Sequence, residues 1–267
     1  DGKQLRRVEP GTLMMGASRS EQGRRANEVL VPVTISKPYY ISVHEVTNRE
    51  FAEFEPSHNS GAEHASLAGD NNPVASVTWQ QAVEYCNWLS AREGLNPVYE
   101  EKFGQYEAIR PFPNGYRLPT EAEWVWAIRY AGQAQASRFS WGDSWPPRRD
   151  AGNYADRSGS DILNAALTGY DDGFVSTAPV GSFPPNALGI YDGGGNVAEW
   201  VNDFYTVPTP GITTPLVDPL GPERGTNYVI RGSSWKHDDI SELRLSYRDY
   251  GNEARSDVGF RIVRNAE

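Results

Sequence analysis

Residues 189–200 read Gly-Ile-Tyr-Asp-Gly-Gly-Gly-Asn-Val-Ala-Glu-Trp, and no other stretch restricts the fold as much. Three consecutive glycines lose much backbone entropy on ordering. A folded chain keeps such a run only where the backbone must turn sharply or approach something closely. Asp192 and Glu199 bracket the turn. Two carboxylates around a glycine-rich turn suit a hard cation, since calcium takes roughly 6–8 oxygen ligands and accepts backbone carbonyls among them. A tight turn with two solvated acids has the same sequence, and the residues alone leave both readings open.

The chain has 267 residues with no linker, low-complexity tract or fixed-period repeat, so one domain over residues 1–267 is expected. At this length roughly 70–75% of the unfolded surface can be buried. The 26 glycines and 19 prolines predict many loops, with 8 tryptophans and 14 tyrosines supplying much of the core. A net charge of −10 argues against nucleic acid and anionic membrane surfaces as partners, because both need clustered Lys and Arg. No apolar run reaches the length of a membrane span. No secretory leader is read at the start, as expected of a mature protein or a trimmed domain. Cys86 is the single cysteine, which excludes an intramolecular disulfide.

Three Thr-x-x-Glu/Gln capping boxes, at Thr47, Thr78 and Thr120, mark helix starts. They predict helices over residues 48–55, over 79–92 with Gly94 as the stop, and from 121 to Gly132. In the second, Trp79, Ala82, Val83, Cys86 and Leu89 share a face, so Cys86 is expected in the core rather than as a nucleophile. Capping and first-turn electrostatics account for Glu121 and Glu123. Residues 31–35 and 39–43 flank Lys37-Pro38 and read as a hairpin. Residues 139–222 are turn-rich, a length of irregular chain for which bound ions are a sensible staple. Strands return at 228–230, 243–247 and 258–263. His58 and His64 lack a third ligand at a metal spacing and are expected at the surface.

The glycine-rich stretch resembles the signature of the formylglycine-generating enzymes, also called sulfatase-modifying factors. Residues 115–124 (Gly-Tyr-Arg-Leu-Pro-Thr-Glu-Ala-Glu-Trp), 177–186, 231–235 and 259–261 are similar to further motifs in family order, as are Met15-Gly16 and residues 45–48. The resemblance implies an α+β fold, the family's calcium-stabilised variant of the C-type lectin fold, with little regular secondary structure and long loops. It also implies two calcium sites. One would use the side chains of Asn153 and Asp172 with the carbonyls of Tyr154 and Phe174. The other would use Asp192, the carbonyls of Gly195 and Val197, and Glu199.

The chain departs from the family at its catalytic centre. Formylglycine-generating enzymes use copper(I) held by two cysteines that follow the Gly-Gly-Ser-Trp-like motif. Here residues 233–244 contain no cysteine; His237 stands near the first position and nothing replaces the second. Copper is therefore not expected, since one imidazole does not replace two soft thiolates. Cysteine-free relatives include a periplasmic protein of pyoverdine maturation, which implies a diverged oxidoreductase acting on a peptide-like substrate. In that reading His237, Glu242 and Ser234 are catalytic, with Asp239 as another proton carrier. Trp235, Arg244 and Arg248 hold an anionic, peptide or small-molecule ligand. The alternative is a non-catalytic lectin-like module that presents the same segment to a ligand or partner protein. A periplasmic or extracellular location is expected in both cases.

Overall fold

The structure is a computed structural model that describes residues 3–266. All three capping boxes form. Thr47 opens α1 (Asn48–Ala52), Thr78 opens α2 (Trp79–Arg92) and Thr120 opens α3 (Glu121–Trp124). In each, the threonine side chain accepts from the third helical amide and the acid or amide at that position reaches back to the cap. α1 is shorter than expected and stops before Phe54. α3 continues as a wider turn over Val125–Tyr130 and closes at Ala131, which is left-handed at φ 50°. α2 buries Trp79, Ala82, Val83, Cys86 and Leu89, so Cys86 is a core residue, and burial pushes its thiol well above the usual range.

Among the described residues twelve strands form four small sheets. β1 (Leu5–Val8), β4 (Tyr39–Ser42) and β12 (Val263–Asn265) make one, in the order β1-β4-β12; β2 (Gly11–Met15), β3 (Val31–Ile35) and β8 (Leu216–Val217) make another, in the order β2-β3-β8. β5 (Tyr99–Lys102) pairs with β6 (Gln105–Ala108). The fourth sheet contains β7 (Ala198–Phe204), β9 (Tyr228–Arg231), β10 (Arg248–Gly251) and β11 (Val258–Gly259), in the order β10-β9-β7-β11. All pairs are antiparallel except β7 with β11 and β3 with β8.

Three expectations need correction. Residues 31–35 and 39–43 contain strands, but β3 pairs with β2 while β4 pairs with β1 and β12, so there is no hairpin between them. Residues 243–247 are turns, with the strand displaced to Arg248–Gly251 because the intervening side chains point into separate buried contacts. The seven-residue β7, the longest strand, lies in the region read as turns. Its sequence does not alternate because six of its seven positions are buried, and it contains Glu199, Asn202 and Asp203 as well as apolar residues.

β7 divides the core. Ala198 and Trp200 pack with α2 in one cluster, while Val201 packs with α3 and β3 in a second. Glu199 and Asp203 lie on the α3 side, where Glu199 meets Trp124 and Asp203 meets Glu121. A third cluster, built on Phe139, Trp141, Tyr154, Tyr170 and Leu243, supports the long irregular region. Its stacked Phe139–Trp141 rings are 4.6 Å apart. Among the described residues no helix is long and apolar enough to cross a membrane.

Candidate functional site

Close packing accounts for the glycine run. A Cβ on Gly193 would stand 2.4 Å from Ile128 Cγ2, and one on Gly195 would stand 2.7 Å from the Asn153 carbonyl at a φ of +103°. Asn196 then bridges three segments. Its Oδ1 accepts from Ala178 N at 3.0 Å, its Nδ2 donates to Glu45 at 2.9 Å, and its carbonyl accepts from Trp235 N at 2.8 Å.

The carboxylates around this turn are engaged by protein donors. Arg261 Nη2 donates to Glu199 Oε1 at 2.7 Å, Arg261 Nε reaches both oxygens at 2.8–2.9 Å, and Trp124 Nε1 donates to Oε2 at 2.8 Å. Asp192 Oδ2 accepts from Gly181 N at 2.7 Å. In the expected ligand set of Asp192, Gly195, Val197 and Glu199, the Glu199 charge is balanced inside the protein by the Arg261 guanidinium. Burial first, and then Asp192 and Glu199, push the Glu45 carboxyl well above the usual range; burial and Glu199 push Asp192 up to about 6. These neighbours are an electrostatic knot around Arg261.

The other expected set is arranged differently. Asn153 Nδ2 donates to Asp172 Oδ2 at 3.2 Å and to the Ser176 carbonyl at 2.9 Å, which fixes the amide orientation. Its Oδ1 is then buried with no hydrogen-bond partner. Asp172 accepts from Tyr154 N and from Phe174 N, both at 2.9 Å. Burial, with the Asp156 carboxylate beside it, pushes the Asp172 carboxyl up to about 7. An orphaned amide oxygen next to a destabilised carboxylate, with the Tyr154 and Phe174 carbonyls in the same segments, is a donor set that suits a hard cation. Among the described residues no three His, Cys, Asp or Glu side chains gather as a metal-holding group, so any cation here depends on amide and carbonyl oxygens beside the Asp172 carboxylate.

The segment after β9 contains the expected catalytic and ligand-contacting residues, and most are internal. Ser234 is fully buried; its Oγ donates to Asp257 at 3.1 Å and lies 3.3 Å from His237 Nδ1. His237 Nδ1 accepts from Ser234 N at 3.0 Å, and its carbonyl accepts from Ala155 N, which ties this loop to the Asn153 segment. Trp235 is 2% exposed and donates to the Ser256 carbonyl at 3.1 Å. Arg244 is held by Glu28 and Glu21, and Arg248 by Glu121 at 2.6 and 2.9 Å. Ser234, Trp235, Arg244 and Arg248 thus do not form the expected ligand surface, because their polar atoms are used inside the fold.

Lys236, Asp238, Asp239, Ile240 and Glu242 keep access to solvent. Lys236 lies over Trp235 at 4.9 Å and bonds Glu63 at 2.7 Å. Arg25 lies over the Tyr247 ring at 4.7 Å and meets Glu242 at 3.4 Å, while His237 packs edge-on to Tyr247 at 5.9 Å. Sequence reasoning missed Arg25, Glu63, Tyr247 and Asp257. Arg25 is 222 residues from Tyr247 in the chain, and no local pattern links the two. His58 and His64 are half-buried; His58 Nε2 lies 2.8 Å from the Ala75 carbonyl and His64 caps a short turn.

Residues 2–266 match the sulfatase-modifying factor enzyme 1-like domain. The chain is 30% identical to the formylglycine-generating enzyme of Streptomyces coelicolor, over 98% of this chain and 89% of that protein. Other formylglycine-generating enzymes that it matches are longer, and the chain spans 39–45% of them. Among solved structures it is similar to Treponema denticola variable protein 1, at TM-score 0.78 and 25% identity over 98% of this chain and 95% of that one. It is also similar to PvdO from Pseudomonas aeruginosa, at TM-score 0.71 and 26% identity over 98% and 94%.

Proposed function

The chain belongs to the family of sulfatase-modifying factor enzyme 1-like domains, and we propose that within it this protein is a calcium-stabilised binding module rather than a copper-dependent formylglycine generator. The carrying observation is the condition of the segment after β9. Cys86, the single cysteine, is buried in α2, and Ser234, Arg244 and Arg248 are engaged by Asp257, Glu28 and Glu121. The ligand face is the rim left open, formed by Lys236, Asp239, Glu242 and Arg25 above the buried His237 and Tyr247 rings. Its two cations suit an anionic group on a peptide or small-molecule ligand.

Calcium would be held by Asn153 Oδ1, Asp172 and the carbonyls of Tyr154 and Phe174, where it would satisfy the orphaned amide oxygen and neutralise Asp172. Its contribution is structural, since it stiffens the segment whose Ala155 amide holds the His237 carbonyl. A module that depends on calcium in this way works where calcium is abundant, in the periplasm or outside the cell.

The second reading, a diverged oxidoreductase acting on a peptide-like substrate, has in its favour the contact of Ser234 Oγ with both His237 and Asp257. Against it stands the complete burial of that hydroxyl. Oxygen uptake separates the two readings. The protein, both as prepared and with copper(I) added, is given a cysteine-containing sulfatase peptide, and in parallel is passed over an immobilised peptide array. Background oxygen uptake with retained peptides, lost in Lys236→Ala and Arg25→Ala at unchanged melting temperature, supports the module. Oxygen uptake above background that tracks peptide oxidation overturns it.

A further inference from the structure

A cavity of about 430 Å³ is lined by none of the rim residues and by none of the Asn153 segment. Met15, Val31, Val33 and Leu216 of the β2-β3-β8 sheet line it, together with Ile212, Pro219 and Leu220 from the loops on either side of β8. Neither the binding rim nor the calcium set uses this space. Leu216 and Val217 leave 41% and 63% of their surface exposed at its edge and give it an apolar mouth.

The floor of the cavity is polar and ordered. Arg248 holds Glu121 through two bonds, which balances that charge within the protein. Asp203, on the same face of β7, is 5% exposed, and its Oδ2 accepts from Glu121 N at 2.9 Å. Its Oδ1 lies beside Gly221 in the cavity wall, and a Cβ on Gly221 would stand 3.1 Å from that oxygen. A side chain at 221 would therefore crowd the one carboxyl oxygen that faces the space. Burial, and next the Glu121 carboxylate, push the Asp203 carboxyl up to about 8. A neutral acid with one oxygen accepting a backbone bond presents its O–H at the other, and so acts as a donor toward the cavity.

We propose that this cavity binds a small uncharged molecule, mostly apolar and with one hydrogen-bond acceptor, anchored by Asp203 Oδ1. The volume lies in the range of ordinary small-molecule sites, which combine apolar walls with a few placed polar groups. A charged ligand does not suit the floor, because Glu121 is already paired and the walls offer no counter-charge to a buried ion.

The test uses prodan, an uncharged naphthalene ketone whose emission reports both an apolar surrounding and a hydrogen bond to its carbonyl. The full chain is titrated with the dye at neutral pH. Saturable one-to-one binding with blue-shifted emission is expected. Asp203→Leu weakens affinity about three- to tenfold, the loss of one hydrogen bond, while Asp203→Asn retains it because the amide still donates. Leu216→Glu, at an exposed edge where folding is undisturbed, weakens binding by placing a charge at the mouth. Lys236→Ala, on the rim, leaves prodan binding unchanged, so failure of the rim proposal and failure of this one are distinguishable. Absence of saturable binding to the unmodified chain overturns the proposal. So does binding that is indifferent to Leu216→Glu, or equal in Asp203→Leu and Asp203→Asn when both variants melt as the unmodified chain does.

Discussion

Arg244 and Glu28, 216 residues apart in sequence, are joined by two parallel hydrogen bonds of 2.5 and 2.6 Å, and neither side chain is exposed. Glu21 adds a third contact at 2.9 Å. The bond ties the N-terminal loop to the segment after β9. A charge pair this deep is costly to break from one side, because the remaining ion has no water to replace its partner. Arg244→Ala is expected to destabilise the fold by about 3–5 kcal/mol. Urea unfolding measures it, and peptide retention per folded molecule should stay unchanged. Lost retention at full stability would return Arg244 to the ligand-contacting role that its position in the sequence implied.

Calcium is expected to raise the melting temperature in millimolar calcium relative to excess chelator. One site filled at a hundredfold excess over its dissociation constant stabilises by about 2.7 kcal/mol. Asn153→Leu removes the orphaned oxygen and should remove most of the shift, whereas Asp192→Ala should leave the shift in place. Equal melting with and without calcium would eliminate the ion from the account of this fold.

Asp203 makes a pH prediction with a definite sign. Its folded carboxyl is pushed up to about 8, while an unfolded aspartate titrates near ~3.9. Between those values the folded state holds a proton that the unfolded state has lost, so stability falls as pH rises. The contribution is complete below the unfolded value and is lost as pH passes the folded one. Glu121 and Glu123 on α3 and Arg248 on β10 are the charges acting on it. Chemical unfolding from pH 4 to 9 should show Asp203→Asn gaining on the unmodified chain as pH increases, and a constant difference would contradict the buried, protonated state.

The glycine turn offers a steric test. Gly195→Ala meets both a left-handed backbone and the Asn153 carbonyl at 2.7 Å, whereas Gly194→Ala finds its nearest neighbour, Leu245 Cδ2, at 3.1 Å and sits outside the left-handed region. The first substitution should reduce the melting temperature much more than the second. Similar melting of the two would mean that the turn tolerates more movement than its packing implies.

Local chemistry was legible in the residues themselves. Each capping box needs only four consecutive residues, and all three helices begin where a threonine could satisfy an amide that the helix leaves free. The inner face of α2, with Cys86, follows from helical spacing in the same way. The motifs shared with the family were equally readable, and with them the α+β class. What the residues could not express was partnership at long range. Glu199 is a plausible calcium ligand in sequence and the counter-charge of Arg261 in three dimensions, 62 residues away. β7 was hidden because a strand buried on both faces need not alternate, and its acids are matched by Arg261 and by the Glu121 amide rather than by anything adjacent in the chain. Tertiary structure also decided which polar residues after β9 remain available. Burial makes an unpaired charge so unfavourable that Arg244 and Arg248 take the carboxylates the fold brings to them, and the polar side chains of this segment that still reach solvent are those of the rim.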